Sequence, residues 1–288
     1  MIFPLIERVK TIKDLIIQSL DRIGTSVNTL LGNDQVILAK IESLSKQVKS
    51  LTVVPDIEQK NSPIANFHGD FYIRHNQRRQ EHLASLGINI SGLSVLEVGA
   101  GIGDHTTYFL DRGCSVLCTE AREDNLEILR TRYPYIRVEQ LDLDNPHPLT
   151  DKPLDVVYSY GLLYHLKKPA KAIEFMARNC SQILLLETCV SQENDESIII
   201  TEEEIENPTQ GIYGIGCHPS RKWVYQQLKK YFDFVYLPTT QPNHPEFPID
   251  WATMPDEKTL TRAVFIASRQ MINNPLLVED IPMKQVRH

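Results

Sequence analysis

The chain has 288 residues, 42% of them hydrophobic and 23% charged, with a formal net charge of −7. Such a composition suits a packed globular protein, and the length suffices for one generous α/β domain with an appendage. The acidic balance excludes a nucleic-acid surface as the main partner, because phosphate backbones are bound by basic fields.

Residues 1–51 carry apolar side chains at intervals of three and four: Ile2, Leu5, Val9, Ile12, Ile16, Leu20, Ile23, Val27, Leu30, then Ile37, Ile41, Leu44, Val48 and Leu51. Only Asp34 breaks the stripe, and the extra four-residue step from Ile16 to Leu20 has the form of a stutter. A narrow seam of this kind is helical. It fits either a long helix pairing with a second chain as a coiled coil, or a helical hairpin turning at Gly32-Asn33-Asp34. Both imply homo-oligomerisation or docking, with a helix lying on the main domain as the plainer alternative. Residues 52–66, containing Pro55 and Pro63, read as a linker. Glu7, Arg8 and Lys10 interrupt the first apolar stretch, so it reads as neither a secretory signal nor a membrane span.

Residues 67–270 form the main domain, beginning with the helix-like stretch "FYIRHNQRRQEHLASLG", which Gly87 ends. Strands are expected at Ser94–Val98, Ser115–Thr119, Ile136–Gln140, Asp155–Ser159, Ile183–Glu187, Asp233–Leu237 and Ala263–Ser268. Helical spacing lies between them at Thr106–Arg112, Asp124–Tyr133, Pro169–Cys180 and Pro219–Tyr231. Alternation of this kind predicts a parallel, Rossmann-like sheet finished by an antiparallel hairpin. The C-terminal tail, 271–288, reads as weakly ordered. Cys114, Cys118, Cys180, Cys189 and Cys217 lack paired metal-type spacing and read as buried reduced thiols of a cytoplasmic protein.

Ligands of parallel sheets bind beyond the carboxyl ends of the strands. After the first strand stands Glu97-Val98-Gly99-Ala100-Gly101-Ile102-Gly103, followed by Asp104 where a dinucleotide fingerprint needs glycine, and no P-loop lysine follows. Glu120 closes the second strand, where a carboxylate can accept both hydroxyls of a ribose. Asp142 follows the third, placed to accept from an exocyclic amine, and "DVVYSYGLLYHL" ends the fourth in aromatics and His165. Together these describe an adenosine site with no phosphate cradle.

The arrangement resembles the class I S-adenosylmethionine-dependent methyltransferases over roughly Phe71 to Arg269, with "LEVGAGIG", "CTE", "LDLD" and "DVVYSYGLLYHL" matching four successive motifs. The resemblance implies a seven-stranded sheet with its last strand antiparallel and S-adenosylmethionine as cofactor. It places Glu97, Gly99, Ala100, Gly101 and Gly103 at the methionine moiety, Glu120 and Ala121 at the ribose, Asp142 and Leu143 at the adenine, and Tyr160 at the end of the fourth strand. His75, Asn76, Arg78 or Arg79 on the first helix would meet the methionine carboxylate, unless that face is simply solvated. "GLLYHL" resembles small-molecule and sugar O-methyltransferases, so the expected acceptor is a hydroxyl of a sugar or other small metabolite. Removal of its proton falls to His165, His218 or Glu187, with His165 first because it follows the strand facing the methyl. The long stretches 191–220 and 239–251, the latter with His244, Phe247 and Trp251, are expected to build the acceptor pocket. No metal is expected. The rivals are a nicotinamide-dependent oxidoreductase and a coiled-coil adaptor keeping an inactive methyltransferase fold.

Overall fold

The computed structural model describes residues 62–253 and 260–288, so the seam at 1–51 and most of the linker lie outside the described residues. The linker's last residues are helical instead. Ser62 accepts from the Ala65 amide at 3.2 Å, and Pro63 takes the first position of α1 (Pro63–Phe67), where no N–H is needed. Helix α2 (Asp70–Ser85) follows and buries His75, Asn76, Arg79, His82 and Leu83, a stripe at helical spacing made mostly of polar side chains.

The chain then alternates through β1 (Ser94–Val98), α3 (Thr106–Leu110), β2 (Ser115–Glu120), α4 (Glu123–Arg132), β3 (Arg137–Gln140) and β4 (Leu154–Tyr160). A 3-10 turn (Leu163–His165), α5 (Pro169–Arg178) and β5 (Cys180–Val190) complete the parallel part. Beyond β5 come β6 (Ile198–Glu202), β7 (Ile215–Pro219), α6 (Arg221–Lys229), β8 (Phe234–Pro238), β9 (Thr240–Gln241), β10 (Thr261–Ser268), β11 (Leu277–Val278) and β12 (Val286–Arg287).

The main sheet runs β11-β8-β10-β5-β4-β1-β2-β3, with β10 antiparallel between β5 and β8. All seven expected strands are present, and β11 adds an eighth at the edge. Helices cover both faces, which is why the central strands are apolar on both sides. One face packs Leu96, Val157 and Leu184 against Ile173, Met176 and Leu228; the other packs Val95, Val156 and Leu185 near Leu83, Phe109 and Leu126. The five cysteines are all buried and free. Among the described residues no helix is long and apolar enough to cross a membrane.

Two segments depart from expectation. Residues 191–220, read as a loop, contain the antiparallel hairpin β6–β7. The tail is built into the domain: β11 pairs with β8 and β12 with β9. Gln285 anchors it, donating to the Pro238 carbonyl at 2.7 Å while its own oxygen accepts from Trp251 Nε1 at 2.8 Å and Gln241 Nε2 at 3.1 Å. A Gln285→Ala change orphans those buried partners and is expected to cost about 1–3 kcal/mol, measured as a lower midpoint in urea unfolding.

Candidate active site

The strand order reverses between β1 and β4, and a cleft of about 970 Å³, open solvent at its mouth included, lies at their carboxyl ends. The glycine turn forms its floor. Gly101 has φ +55°, and a Cβ there would stand 2.8 Å from the Phe67 ring, so the turn passes under α1 only without a side chain. Ala100 N donates to Thr119 O at 2.9 Å, which fixes the turn against β2.

Five carboxyl groups line the cleft, and the three that follow β1, β2 and β3 as expected, Glu97, Glu120 and Asp142, stand in different settings. Glu97 is 2% exposed and accepts from Thr106 Oγ1 at 2.7 Å and Cys118 Sγ at 3.3 Å. Burial dominates those hydrogen bonds and raises its pKa to about 7. Glu120 accepts from the backbone N–H of Gly101 (2.8 Å), Ala121 (2.9 Å) and Arg122 (3.0 Å); burial still leaves its pKa raised. Asp142 is only partly buried, and hydrogen bonds from Tyr213 at 2.6 Å and Asn145 at 2.9 Å outweigh that burial and lower its pKa.

Of the residues expected at the cofactor, Glu97, Gly99, Ala100, Gly101, Glu120, Ala121, Asp142, Leu143 and Tyr160 line the cleft. His75, Arg78 and Gly103 do not. His75 turns away under the 239–251 loop, its ring 4.7 Å from that of His244 and its Nε2 3.7 Å from Glu246. Arg78 points a different way around α2 from Arg79 and pairs with Glu81 at 2.6 Å on the surface. Gly103 is a packing glycine: a Cβ there would stand 2.5 Å from Tyr133 and 2.6 Å from Leu129. Asn76 and Arg79, weighed alongside them, do line the cleft.

Of the three expected bases only His165 faces the cleft. Glu187 has no exposed surface and is paired with Arg79 at 2.8 Å and Arg262 at 3.2 Å, so no acceptor reaches it. His218 sits on β7 opposite Ile199, outside the cleft lining, and burial lowers its pKa. The loop 239–251 does not reach the cleft either. Phe247 (0% exposed) and Trp251 (3%) belong to the interior.

The stretch after β5 reaches the cleft, as expected of a pocket-building segment, although its individual contacts were not foreseen. Residues 208–213 wall one side, tied down where Asn125 Nδ2 donates to Pro208 O at 2.9 Å and Arg122 Nη1 to Ile205 O at 2.7 Å. His165 Nδ1 contacts Glu203, which stands just after β6. His105 also lines the cleft, its Nδ1 2.5 Å from Tyr158 OH, and burial holds its pKa at about 3, so it is neutral. His105 Nε2, Tyr160 OH and Arg79 Nε are buried without partners in residues that line the cleft. Glu203 and His105 had only their position in a motif or loop to signal them, since both partners are distant in sequence.

The charge burial has two measurable consequences. Removing the Glu187 carboxylate leaves the buried Arg79 guanidinium without its carboxylate partner and Arg262 with Glu246 alone, so Glu187→Ala should lose about 3–5 kcal/mol in urea unfolding; an unchanged midpoint would refute that structural role. Glu97 holds its proton more tightly folded than unfolded, because its pKa of about 7 exceeds the ordinary 4.5. Its contribution to stability is complete below pH 4.5 and is lost as pH rises through about 7, an effect of about 3 kcal/mol. Glu97→Gln should flatten the stability profile over that window, as followed by unfolding at pH 5, 6, 7 and 8.

Residues 96–182 match the family described as a methyltransferase domain. No curated protein matches the sequence. The N-terminal domain of EvdMO1, solved in the presence of SAH and D-fucose, superposes with a TM-score of 0.54 at 19% identity, covering 70% of this chain and 85% of that one. An S-adenosylmethionine-dependent methyltransferase from Mesorhizobium loti gives a TM-score of 0.50 at 16% identity, covering 68% of this chain and 100% of that one. Residues 96–182 thus match a methyltransferase domain, and the fold around them is shared with the solved S-adenosylmethionine-dependent methyltransferase.

Proposed function

We propose that this protein binds S-adenosylmethionine and transfers its methyl group to a hydroxyl of a sugar or other small metabolite. One observation carries the reading. Glu120, ending β2, and His165, following β4, line the same cleft on either side of the glycine turn. A carboxylate already fixed by three backbone N–H groups is oriented to accept from two ribose hydroxyls.

The unpartnered buried atoms support the fit. Arg79 Nε offers a donor for a methionine carboxylate, and Tyr160 OH and His105 Nε2 offer polar contacts beside it. Glu97, at its raised pKa, loses its proton readily next to a cationic ligand. When bound, the sulfonium supplies a methyl group for in-line displacement by the acceptor oxygen. His165 takes the proton from the acceptor hydroxyl, and the cleft walls hold donor and acceptor in line. The solved neighbour crystallised with D-fucose supports a sugar acceptor by analogy. Homo-oligomerisation through residues 1–51 and a cytoplasmic location complete the proposal.

Calorimetric titration of the full chain with S-adenosylmethionine tests the cofactor, with NADH as control. Micromolar binding is expected, weakened at least tenfold by Glu120→Ala through loss of charge-assisted hydrogen bonds of about 1.5–3 kcal/mol. NADH binding in its place would overturn the reading. Release of S-adenosylhomocysteine on adding members of a sugar panel then tests the acceptor class, with His165→Asn as the base-deficient control.

A further inference from the structure

We propose that Glu203, carried in by the β6–β7 hairpin, is a positioning residue for His165. The inference rests on the reading of His165 as the base. The Glu203 carboxylate is fixed at both oxygens: Oε1 meets His165 Nδ1, and Oε2 accepts from the Gly211 amide at 2.8 Å. Its side chain is 7% exposed and that of His165 is 10% exposed, so water competes weakly for the contact. The Glu203 amide donates to Gly214 O at 3.1 Å, anchoring the residue at the head of the hairpin.

The chain gives up two side chains to make this approach. A Cβ on Gly211 would stand 2.6 Å from the His165 carbonyl and 2.7 Å from Glu203 Oε2. A Cβ on Gly216 would stand 2.5 Å from the Tyr164 carbonyl and 2.8 Å from Glu203 Oε1. Both lie in "GIYGIG", whose middle glycine, Gly214, has φ +67° and accepts from the Glu203 amide. They seat the hairpin directly against the 3-10 turn that carries His165.

An ionised carboxylate is acceptor-only, so the neutral imidazole must place its proton on Nδ1. The lone pair is then on Nε2, the nitrogen left for the cleft. The same pairing stabilises the imidazolium that forms when Nε2 takes the acceptor's proton. Glu203 itself does not line the cleft and meets its wall only at the Gly211 amide, while Pro208 on Asn125 and Tyr213 on Asp142 hold the far parts of that wall without it. Base orientation and cofactor binding are therefore separable in one insertion.

Nitrogen-15 NMR of the histidine-labelled full chain with S-adenosylmethionine added reads the tautomer directly, with His165 assigned through His165→Gln. With the imidazole in its neutral form, the wild type is expected to show Nδ1 protonated and Nε2 bare. In Glu203→Ala that pattern should be lost, while affinity for S-adenosylmethionine stays within twofold by calorimetry. If Glu203→Ala weakens cofactor binding as well, the hairpin has shifted, and Glu203→Asp serves instead; it keeps the charge, withdraws it by one methylene, and should show the same loss. Once an acceptor is in hand, kcat should fall about a hundredfold, the lower end of what a general base contributes, with KM for S-adenosylmethionine unchanged. An unaltered tautomer in both variants, or a neutral wild-type imidazole with its proton on Nε2, overturns the proposal. Full activity in His165→Asn would instead remove the base reading and leave the pairing intact, so the two failures are distinct.

Discussion

A carboxylate with no exposed surface organises much of this domain. Glu187, on the central strand β5, is held between Arg79 of α2 and Arg262 of β10. Isolated, such a charge would cost far more than its packing returns, so the partners must be in place for the strand to fold as it does. Arg262 goes on to Glu246 at 2.6 Å and to Tyr164 OH at 3.1 Å, the residue preceding His165. One ionic cluster therefore ties together the first long helix, two strands, the loop before β10 and the turn at the cleft. Its polar stripe explains how α2 docks with little apolar surface: its position is set by charge satisfaction, and Arg79 reaches the cleft edge as a result. At Gly161 the backbone comes close enough that a Cβ would lie 3.1 Å from Arg79 Nη2.

The acids at the strand ends divide according to what surrounds them. Glu120 receives three backbone N–H donors and Asp142 directed O–H and N–H donors, whereas Glu97 has only a hydroxyl and a thiol beside it; burial raises both glutamates and is outweighed at Asp142. A fixed acceptor suits neutral ribose and adenine groups, which need direction. A carboxyl poised near neutrality suits a cation, which needs charge. The same sheet edge thus presents two kinds of setting, and the difference comes from the directed donors, backbone at Glu120 and largely side-chain at Asp142, that surround each carboxyl.

Much of this was legible along the chain because it is local. The strands of the parallel sheet, the glycine turn and the acids after β1, β2 and β3 follow from hydrophobic runs and their punctuation. What misled was direction around a helix and distance in sequence. Arg78 and Arg79 are adjacent letters on different sides of α2, and His75 belongs to the loop 239–251, not to the cleft. Glu187 ends an apolar run like a site acid, yet its partners are 108 residues before it (187 − 79) and 75 after it (262 − 187), beyond any local signal. The tail looked weakly ordered because Gln285 has no apolar pattern, although its amide satisfies three buried groups.

The insertion after β5 is where the domain departs most from an alternating α/β plan, and its placement follows from the sheet. β5 is the last parallel strand before the antiparallel β10, so a hairpin leaving its carboxyl end can cross toward β4 without displacing a crossover helix. It then meets the cofactor side through Ile205, Pro208 and Tyr213, and the turn after β4 through Glu203. A wall held at both ends encloses the space between adenosine and base on the side that the core strands leave open. Desolvation by that wall strengthens every polar contact inside, the Glu203–His165 pair included. The strands supply the edge that carries Glu97, Glu120 and Asp142; the insertion supplies the enclosure in front of it and of His165.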